Sequence, residues 1–342
     1  MLAIGLDIGG ANLKAATSDA AAADRPFPLW KRPERLEAEL RSLLSDLPQG
    51  DVVAMTMTGE LADCFASKAE GVRAIVAAAT AAADGRPVFF WQTGGEFLGP
   101  EEAAELPRLV AAANWHALAT FCGRVVPRGP GLLIDVGSTT TDLIPLRDGR
   151  VAAEGLTDLD RLRSGELVYT GATRTPVCAV GPTVDIGDDE LPLAAELFAT
   201  MRDVYLLLGE LPESPEDRDT ADGRPATAAF AKSRLARMLC SDPDEIGNDV
   251  LNDFVAALAA RQRASIRAAL DRVLGRTDGR PHVLLSGSGA FVARRVVAET
   301  PRLAGAAVTS LADLFARKVS RSACAFAVAR LAVERIALEP AS

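Results

Sequence analysis

Apolar runs alternate with amphipathic segments along most of the chain, and short polar or glycine-rich turns separate them. Unbroken apolar runs predict buried strands, whereas leucines recurring every three or four residues predict helices. The predicted strands occupy residues 2–7, 51–57, 87–91, 131–136 and 282–287, with residues 13–17 pairing back on the first strand. The predicted helices lie at 35–47, up to about 83, around 100–122, near 191–209, at 226–240 and 248–275, and in two segments after residue 289. Strands that alternate with helices indicate an α/β fold.

Two of the predicted strands end in the same way, in an aspartate followed by a glycine turn. The first reads LAIGLDIGGANLKAA at 2–16, with Asp7 at its end, and the second reads GLLIDVGSTTTDL at 131–143, with Asp135 there. Glycine lets the backbone approach a ligand closely, and the N–H groups of such a turn can bind phosphate oxygens. Each motif alone is compatible with a tight β-hairpin, but two of them facing each other would hold a polyphosphate between two lobes.

The residues around these turns supply charges and donors suited to such a ligand. Asp7 and Asp135 are the predicted Mg²⁺ ligands, directly or through water. Asp142 is a third candidate, as metal ligand, general base or solvated hairpin residue. Lys14 is predicted to neutralise phosphate charge, unless it is an exposed strand lysine. The predicted phosphate-binding residues of the two turns are Gly9, Gly10 and Asn12, then Gly137, Ser138, Thr139 and Thr140.

Three further strand ends carry candidate binding residues. The glycine-rich stretch LLSGSGAF at 284–291 contributes Gly287 and Gly289, where a nucleotide or another ligand would contact the second lobe. Glu60 and Glu96 each follow a glycine turn at a strand end, where ligands bind in α/β proteins. Either glutamate is a candidate general base or a partner for a cation, and either is equally well a structural residue.

The stretch SGELVYTGATRTPV at 164–177 is irregular for a strand and frames two more candidates. Arg174 is a candidate diphosphate clamp, because a guanidinium group binds phosphate through two parallel hydrogen bonds. Tyr169 is a candidate for stacking on an aromatic substrate. A surface ion pair for Arg174 and core packing for Tyr169 are the alternatives.

The composition limits the size and the partners of the protein. With 342 residues the chain exceeds the usual size of a single core, and 49% hydrophobic residues can form a sizeable core, so two lobes are expected. A formal net charge of −9 provides no basic field that would attract nucleic acid, so no such partner is expected.

The cysteines and the apolar runs bear on location. The five cysteines are widely spaced and form no C-x-x-C pair, which favours reduced thiols in a cytoplasmic protein, and with two histidines a zinc site is not expected. The first apolar run enters a glycine turn after six residues, which is typical of a strand and not of a signal peptide. No apolar run is long enough to predict a membrane span, so no membrane partner is expected, and a homodimer is left open.

The order DIGGANLK, DVGSTTTD and LLSGSGA resembles that of the two phosphate loops and the adenosine loop in the sugar kinase, Hsp70 and actin superfamily. This resemblance implies an α/β protein of two ribonuclease H-like lobes with a cleft between them. The lobes would be residues 1–130 and 131–342, with the C-terminal helices packing back on the first lobe. The SGSGA stretch departs from the fuller adenosine loop, so ATP is left open as a cofactor, while Mg²⁺ is expected.

A closer resemblance extends from residue 2 to about residue 226. It rests on the runs LDIGGANLKAA, MTMTGELADCF, WQTGGEF, ANWHALA, LLIDVGSTTTDLIP, SGELVYTGATRTPVCA and DTADGRPA. These runs resemble the hydantoinase/oxoprolinase-related proteins of the tetrahydromethanopterin-linked one-carbon pathway. The resemblance implies a transferase of methanofuran biosynthesis that forms an aryl ether. The phenol of tyramine or γ-glutamyltyramine would displace pyrophosphate from an aminomethylfuran-methyl diphosphate, and no ATP would be consumed.

Two other classes of protein fit the same turns. An ATP-dependent small-molecule kinase or a hydantoinase-like ATPase of the superfamily would use them to hold nucleotide. A non-enzymatic, nucleotide-gated scaffold would hold nucleotide without turnover. Pyrophosphate release in the absence of nucleotide separates the transferase from the kinase or ATPase, and nucleotide binding without any turnover would indicate the scaffold.

Overall fold

The computed structural model describes residues 1–315 and 317–336, and two mixed β-sheets form its framework. The strands of the first sheet are β1 (Ala3–Ile8), β2 (Asn12–Thr17), β3 (Ala22–Pro26), β4 (Val52–Met57), β5 (Val88–Trp91) and β6 (Phe97–Leu98). Their order across the sheet is β3-β2-β1-β4-β5-β6. β1, β4 and β5 are parallel, whereas β2, β3 and β6 run antiparallel to the strands they pair with.

The helices that accompany this sheet begin where the sequence changes to helical spacing. They are α1 (Leu36–Ser45), α2 (Lys68–Ala82), α3 (Pro100–Glu105), α4 (Pro107–Val110) and α5 (Asn114–Cys122). The buried leucines of α1 recur every three or four residues, so they share one face and pack on Ile4, Leu6 and Ile8 of β1. Ser67 caps α2, since its hydroxyl oxygen accepts a hydrogen bond from the N–H of Glu70 at 3.2 Å.

The second sheet repeats the topology of the first. Its strands are β7 (Pro130–Val136), β8 (Thr141–Arg147), β9 (Arg150–Val151) and β10 (Leu167–Val168), and further along β13 (His282–Ser286) and β14 (Val308–Ser310); β11 (Thr183–Ile186) and β12 (Asp189–Pro192) form a separate hairpin. The order is β10-β8-β7-β13-β14, with β9 paired to β8. In both sheets the central strand has an antiparallel neighbour on one side and two successive parallel strands on the other. The predicted α/β fold with two ribonuclease H-like lobes is confirmed.

Most helices of the second lobe cover the outer face of its sheet. They are α6 (Asp158–Ser164), α7 (Met201–Leu207), α8 (Ala228–Arg237), α9 (Pro243–Ile246), α10 (Asn248–Gly275), α11 (Ala290–Ala298), α12 (Leu311–Leu314), α13 (Arg317–Arg321) and α14 (Ala323–Arg335). Phe254 and Ile266 of α10 belong to the same core as Ile134 of β7. In the described part of the chain, no helix is both long enough and apolar enough to cross a membrane.

Two helices, α5 and α14, lie between the two sheets. Val328 of α14 packs in one core with Trp91 of the first sheet. Phe326 of α14 and Trp115 of α5 pack in another core with Leu133 of the second sheet. The two lobes therefore share an apolar layer of helices, and a helix from the end of the described chain contacts the first sheet.

Several parts of the chain differ from the predicted elements, among them the short strands β6, β9, β10 and β14, which were not predicted. The helix predicted near 191–209 begins only at Met201, because residues 189–192 form β12 and pair with β11. Gly187, with φ of +60°, makes the tight turn that brings these two strands together. The strand β3 was not predicted, since an edge strand with the sequence AADRP is half-exposed and has no apolar run. The other predicted elements lie within a few residues of the observed ones.

Candidate functional site

The turns after β1 and β7 have the same backbone geometry. In the first turn the N–H of Gly9 donates to the carbonyl oxygen of Asn12 at 3.0 Å. In the second turn the N–H of Gly137 donates to the carbonyl oxygen of Thr140 at 2.8 Å. The likeness of the two glycine motifs in the sequence thus corresponds to two equivalent hairpins, one in each lobe.

Each strand-end aspartate stands opposite a charged residue of the returning strand. Asp7 is in register with Lys14, and Asp135 is in register with Asp142. The residues on either side of each aspartate pack in the outer cores, so both aspartates face the layer between the sheets. The two hairpins are therefore equivalent in backbone but opposite in charge at the second position.

These four charged residues form one electrostatic group. Burial raises the pKa of Asp7, and the charge of Lys14 opposes that shift. Burial also raises the pKa of Asp135 to about 7; the carboxylate of Asp142 adds to the shift, while Lys14 opposes it. Burial and all three of these carboxylates raise the pKa of the Cys324 thiol at the start of α14. Asp7, Asp135 and Asp142 therefore all lie near the beginning of α14.

Four buried oxygen atoms at these strand ends have no hydrogen-bond partner among the described residues. They are Asp7 Oδ1, Thr56 Oγ1, Asp135 Oδ1 and Ser286 Oγ. Thr56 on β4 is in register with Asp7, and Ser286 on β13 is in register with Asp135, so each lobe contributes a matching pair. Buried polar atoms in native proteins nearly always have a partner, so this arrangement indicates a place for a polar ligand or an ion.

The donor set fits a magnesium ion that is shared with phosphate. Over residues 1–315 and 317–336, no three His, Cys, Asp or Glu side chains form a complete metal site of their own. Mg²⁺ prefers oxygen ligands, keeps several waters and commonly bridges one or two carboxylates to phosphate oxygens. The unpartnered oxygens of Asp7 and Asp135 match that pattern, and these two residues would hold the ion.

The open sides of the two turns carry polar side chains. The half-buried ones are Asn12, Lys14, Ser138, Thr139 and Thr140. A Cβ atom at Gly10 would meet no atom within 4 Å, so the first turn is open on that side. The predicted phosphate-binding residues of both turns thus keep part of their surface open to a ligand.

The segment 170–174 is bound to the second turn and carries Arg174 to it. The N–H of Arg174 donates to the carbonyl oxygen of Ser138 at 2.8 Å. The Arg174 side chain lies 3.8 Å from the carboxylate of Asp219. Its Cζ atom lies 5.1 Å from the ring centre of Trp30, which belongs to the first lobe. Arg174 therefore lies between the second turn and the first lobe, and it forms the surface ion pair that was the alternative to a diphosphate clamp. Its contact with a ligand stays a prediction.

Asp142 is bound by Arg161, a residue that the sequence did not single out. Arg161 is 1% exposed and donates a hydrogen bond to Asp142. Its guanidinium group also lies 3.4 Å from Asp158 and 4.1 Å from the ring centre of Trp115. Asp158 in turn forms an ion pair at 3.2 Å with Lys68 of the first lobe. No local motif signals this set, because its members come from β8, α6, α5 and α2.

The two glutamates that follow glycine turns have different environments. The N–H of Gly59 donates to the carbonyl oxygen of Ile8 at 3.0 Å, which holds Glu60 beside the first turn. Burial raises the pKa of Glu60 to about 7, and the charge of Lys68 opposes the shift. Glu96 lies exposed in the turn between β5 and β6. Glu60 is therefore the better placed of the two to exchange a proton near neutral pH.

Tyr169 directly precedes the segment that is bound to the second turn, but its side chain is exposed. Its side chain is 65% exposed and lines a surface cavity of about 490 Å³ together with Leu162, Leu167, Ala268 and Arg272. None of the turn residues lines this cavity. The predicted stacking of Tyr169 on a substrate stays a prediction without a contact to the turns.

The third glycine-rich turn packs on the end of β7. Gly287 has φ of +88°, and a Cβ atom there would lie 2.1 Å from the carbonyl oxygen of Val136 and 2.5 Å from Asp135 Oδ1. The N–H of Gly289 donates to the same carbonyl oxygen at 2.8 Å. These glycines let the turn approach Asp135 closely, and their contact with a nucleotide stays a prediction.

The fold and the site agree in one respect. Each of the two ribonuclease H-like lobes has an aspartate and a glycine turn after its central strand. Among solved structures, nucleotide-free acetone carboxylase matches with a TM-score of 0.50 and 12% sequence identity. The match covers 92% of this chain and 51% of that chain, and it is a likeness in fold alone.

The chain belongs to the hydantoinase/oxoprolinase family, whose profile matches residues 51–335. A relative from Methanocaldococcus jannaschii is 34% identical over 334 residues, which are 97% of each chain. It is named (4-{4-[2-(gamma-L-glutamylamino)ethyl]phenoxymethyl}furan-2-yl)methanamine synthase. A relative from Methanococcus vannielii with the same name is 30% identical over 202 residues, 58% of this chain and 89% of that one. The family resemblance inferred from the sequence motifs is confirmed.

Proposed function

We propose that the protein forms an aryl ether in methanofuran biosynthesis. It joins the phenol oxygen of tyramine or γ-glutamyltyramine to an aminomethylfuran-methyl diphosphate and releases pyrophosphate. The proposal is supported by the relative that is 34% identical over 97% of each chain, whose name describes a phenoxymethyl link to a furan. The structural observation that carries it is the pair of unpartnered oxygens of Asp7 and Asp135, one from each lobe. Both substrates are small molecules, and we place the reaction in the cytoplasm.

In this proposal the two turns form the binding site for the diphosphate. Backbone N–H groups and the hydroxyls of Ser138 and Thr139 would donate to its oxygens, and Lys14 would neutralise part of its charge. Asp7 and Asp135 would hold Mg²⁺, which supplies positive charge that stabilises the departing diphosphate. Ionised aspartates are favoured beside such an ion, so the raised pKa values of the free protein would fall when the site is filled.

The chemistry requires one bond to break and one to form at the same carbon. The bond between the furan-bound methylene and the diphosphate oxygen breaks, and its electron pair leaves with the diphosphate. The phenol oxygen then forms a bond to that carbon, and the phenol proton passes to a carboxylate. Glu60, with a pKa raised to about 7 by burial, is the proposed acceptor, and Glu96 is the alternative that the sequence leaves open.

The direct test is turnover in the absence of ATP. Purified protein with Mg²⁺, the furan diphosphate and γ-glutamyltyramine is expected to release pyrophosphate and to form the ether, which mass spectrometry detects. Asp7→Asn and Asp135→Asn are each expected to lower kcat by about 100-fold or more, because charge stabilisation of the leaving group is lost. Asp185→Asn is the matched control, since Asp185 is an exposed strand aspartate in the β11–β12 hairpin.

The result that would contradict the proposal is equally specific. Turnover that requires ATP, or ATP hydrolysis stimulated by a small molecule without ether formation, would indicate a kinase or a hydantoinase-like ATPase instead. Nucleotide binding without any turnover would indicate a scaffold. In both cases the two turns would serve a nucleotide and not a furan diphosphate.

A further inference from the structure

Trp30 stands beside the first turn because its segment is bound to that turn. The N–H of Leu29 donates to the carbonyl oxygen of Gly10 at 2.9 Å, and the N–H of Phe27 donates to that of Ala11 at 2.9 Å. Leu29 is fully buried, whereas the neighbouring Trp30 ring is half-buried. The ring is therefore held at a fixed place next to the turn, with part of its surface open.

Positively charged side chains from both lobes lie near the Trp30 ring. The guanidinium carbon of Arg174 lies 5.1 Å from the ring centre, within the range of a cation–π contact. The ammonium nitrogen of Lys31 lies 6.0 Å from the same centre. Asp219, the acidic partner of Arg174, is 75% exposed at 3.8 Å, and such exposed ion pairs contribute little. The ring face is thus a surface at the cleft that attracts a cation.

We infer that the Trp30 ring is the surface on which the furan ring of the substrate lies, and that it stabilises the positive charge developing there. The inference deepens the proposed function and rests on it. The reacting methylene is bonded directly to a diphosphate oxygen, so a group that contacts this carbon has to stand next to a phosphate turn. Trp30 does so, since the residue before it is bound to Gly10.

The chemistry of the bond cleavage explains why an indole face suits this place. As the carbon–oxygen bond breaks, the electron pair leaves with the diphosphate, and positive charge spreads over the methylene and the furan ring. An aromatic face attracts such a charge most strongly where water is excluded. The charge disappears when the phenol oxygen bonds to the carbon and the phenol proton passes to a carboxylate. The stabilisation by Trp30 therefore acts on the rate of the reaction more than on substrate binding.

Arg174 has two partners of unequal strength in this scheme. A guanidinium group forms stronger, charge-assisted hydrogen bonds with a diphosphate than it does with an aromatic face. Its backbone is already bound to Ser138 in the second turn, so the side chain needs only a change of rotamer to reach a ligand there. Diphosphate binding would thus draw Arg174 away from Trp30 and free the ring face for the furan.

The series Trp30→Phe and Trp30→Leu separates this role from simple packing. Leucine retains apolar volume but has no aromatic face, whereas phenylalanine retains a face. We expect Trp30→Leu to lower kcat by about 10-fold or more and Trp30→Phe to stay within about 3-fold of the unsubstituted protein. Phe230→Leu is the matched control, because Phe230 carries Arg224 at 5.8 Å and belongs to α8, which contributes no residue to the candidate site. Equal losses in both Trp30 variants, or no loss in Trp30→Leu, would overturn the inference.

A binding experiment tests the same surface without turnover. Furfuryltrimethylammonium, a stable cation of similar shape, is titrated into the protein in the presence of Mg²⁺ and inorganic pyrophosphate. We expect its Kd to rise by about 10-fold in Trp30→Leu and to change little in Trp30→Phe. The Kd of pyrophosphate alone is expected not to rise in either variant, because Arg174 no longer has to leave the indole ring, and this result shows that the turns are intact.

The two experiments together separate this inference from the proposed reaction. If the cation binds more weakly in Trp30→Leu but not in Trp30→Phe, and the protein forms no ether, the role of the Trp30 ring is supported and the proposed reaction is rejected. If the protein forms the ether, and the Kd of the cation and kcat are equal in all variants, the proposed reaction is supported and the role of the Trp30 ring is rejected.

Discussion

At the scale of single residues, the two aspartates that face each other in the second hairpin, Asp135 and Asp142, differ in how their charge is compensated. Asp142, opposite Asp135, is bound by the buried guanidinium group of Arg161. Asp135 has no such partner among the described residues at its Oδ1 atom, and its pKa rises to about 7 through burial and through the charge of Asp142. Without a bound cation, the ionised form of Asp135 is therefore less stable in the folded protein than the protonated form near neutral pH.

This asymmetry predicts a pH dependence of the Mg²⁺-free protein. Between an unfolded pKa near 3.8 and a folded pKa of about 7, the native state binds more protons at Asp135 than the unfolded state does. The free energy of unfolding therefore falls as pH rises through this window, and the loss is complete above pH 8. Asp135→Asn is expected to be more stable than the unsubstituted protein by on the order of 2 kcal/mol at pH 8 and to match it near pH 4.

The measurement is urea unfolding of both proteins from pH 4 to pH 8 in the presence of a chelator. The informative quantity is the difference in the free energy of unfolding between the two proteins. Burial lowers the pKa of His116 to about 4, so this histidine makes the free energy of unfolding rise with pH. Both proteins contain His116, so its contribution cancels in the difference. A difference that stays constant with pH would show that Asp135 has an ordinary pKa.

Sequence reasoning identified the residues whose neighbours in the chain reveal them. Asp7 and Asp135 were predicted because each stands in a local motif, a buried strand followed by a glycine turn. Trp30 and Arg161 were not, because their partners come from distant parts of the chain. Tyr169 shows the opposite case, since a suggestive local sequence places its side chain on the surface, in a cavity that no turn residue lines.

At the scale of secondary-structure elements, a chain of charges links α2 of the first lobe to β8 of the second. It runs from Lys68 through Asp158 and Arg161 to Asp142, with contacts of 3.2 Å and 3.4 Å before the buried pair. The outer pair is partly exposed and contributes little by itself. The inner pair is buried, so either partner alone would be an uncompensated charge.

The inner pair predicts strong coupling between β8 and α6. Arg161→Met is expected to lower the free energy of unfolding by about 3–5 kcal/mol, because it leaves Asp142 buried without a partner. Adding Asp142→Asn is expected to restore at least about 1–2 kcal/mol of that loss. Chemical denaturation of the single and double variants measures both quantities.

Arg163→Met is the matched control on the same helix. Arg163 is 70% exposed and lies 3.6 Å from Asp160, so its removal is expected to change stability by less than about 0.5 kcal/mol. Equal effects of the substitutions at 161 and 163 would show that the buried pair contributes no more than an exposed one.

Elements with strong periodicity were predicted well, and those held by pairing alone were not. The α1 helix and the central strands β1 and β7 bury whole faces, so their apolar spacing is visible in the sequence. The β3 strand and the β11–β12 hairpin are half-exposed and depend on backbone hydrogen bonds with their neighbours. Backbone pairing of this kind leaves little trace in a single sequence.

At the scale of the whole molecule, the contact between β1 and α14 is made through the backbone. A Cβ atom at Gly5 would lie 1.8 Å from the carbonyl oxygen of Ala325, so only glycine allows the helix to lie this close to the strand. α14 also packs on the second sheet. The approach at Gly5 therefore helps to set the spacing of the two lobes around the candidate site.

This approach predicts the effect of a single added methyl group. Gly5→Ala is expected to lower the free energy of unfolding by about 3 kcal/mol or more, since a rigid strand and a helix backbone would have to move apart. Gly275→Ala is the control at the end of α10, where a Cβ atom would meet nothing within 4 Å. Thermal unfolding of both variants measures the effect, and similar melting temperatures would show that the helix yields without cost.

The position of α14 also has a consequence for how the molecule is made. The inner face of the first sheet, with Ala54 and Trp91, leaves the ribosome early, whereas the helix that covers it lies at Ala323–Arg335. At about 5–20 residues per second, roughly 15–60 s pass before that cover is synthesised. The outer core of the first lobe can assemble during this time, but the inner face of the first sheet stays exposed to solvent. We therefore expect that a nascent chain of this protein needs protection of this face by the ribosome or a chaperone until Ala323–Arg335 has been synthesised.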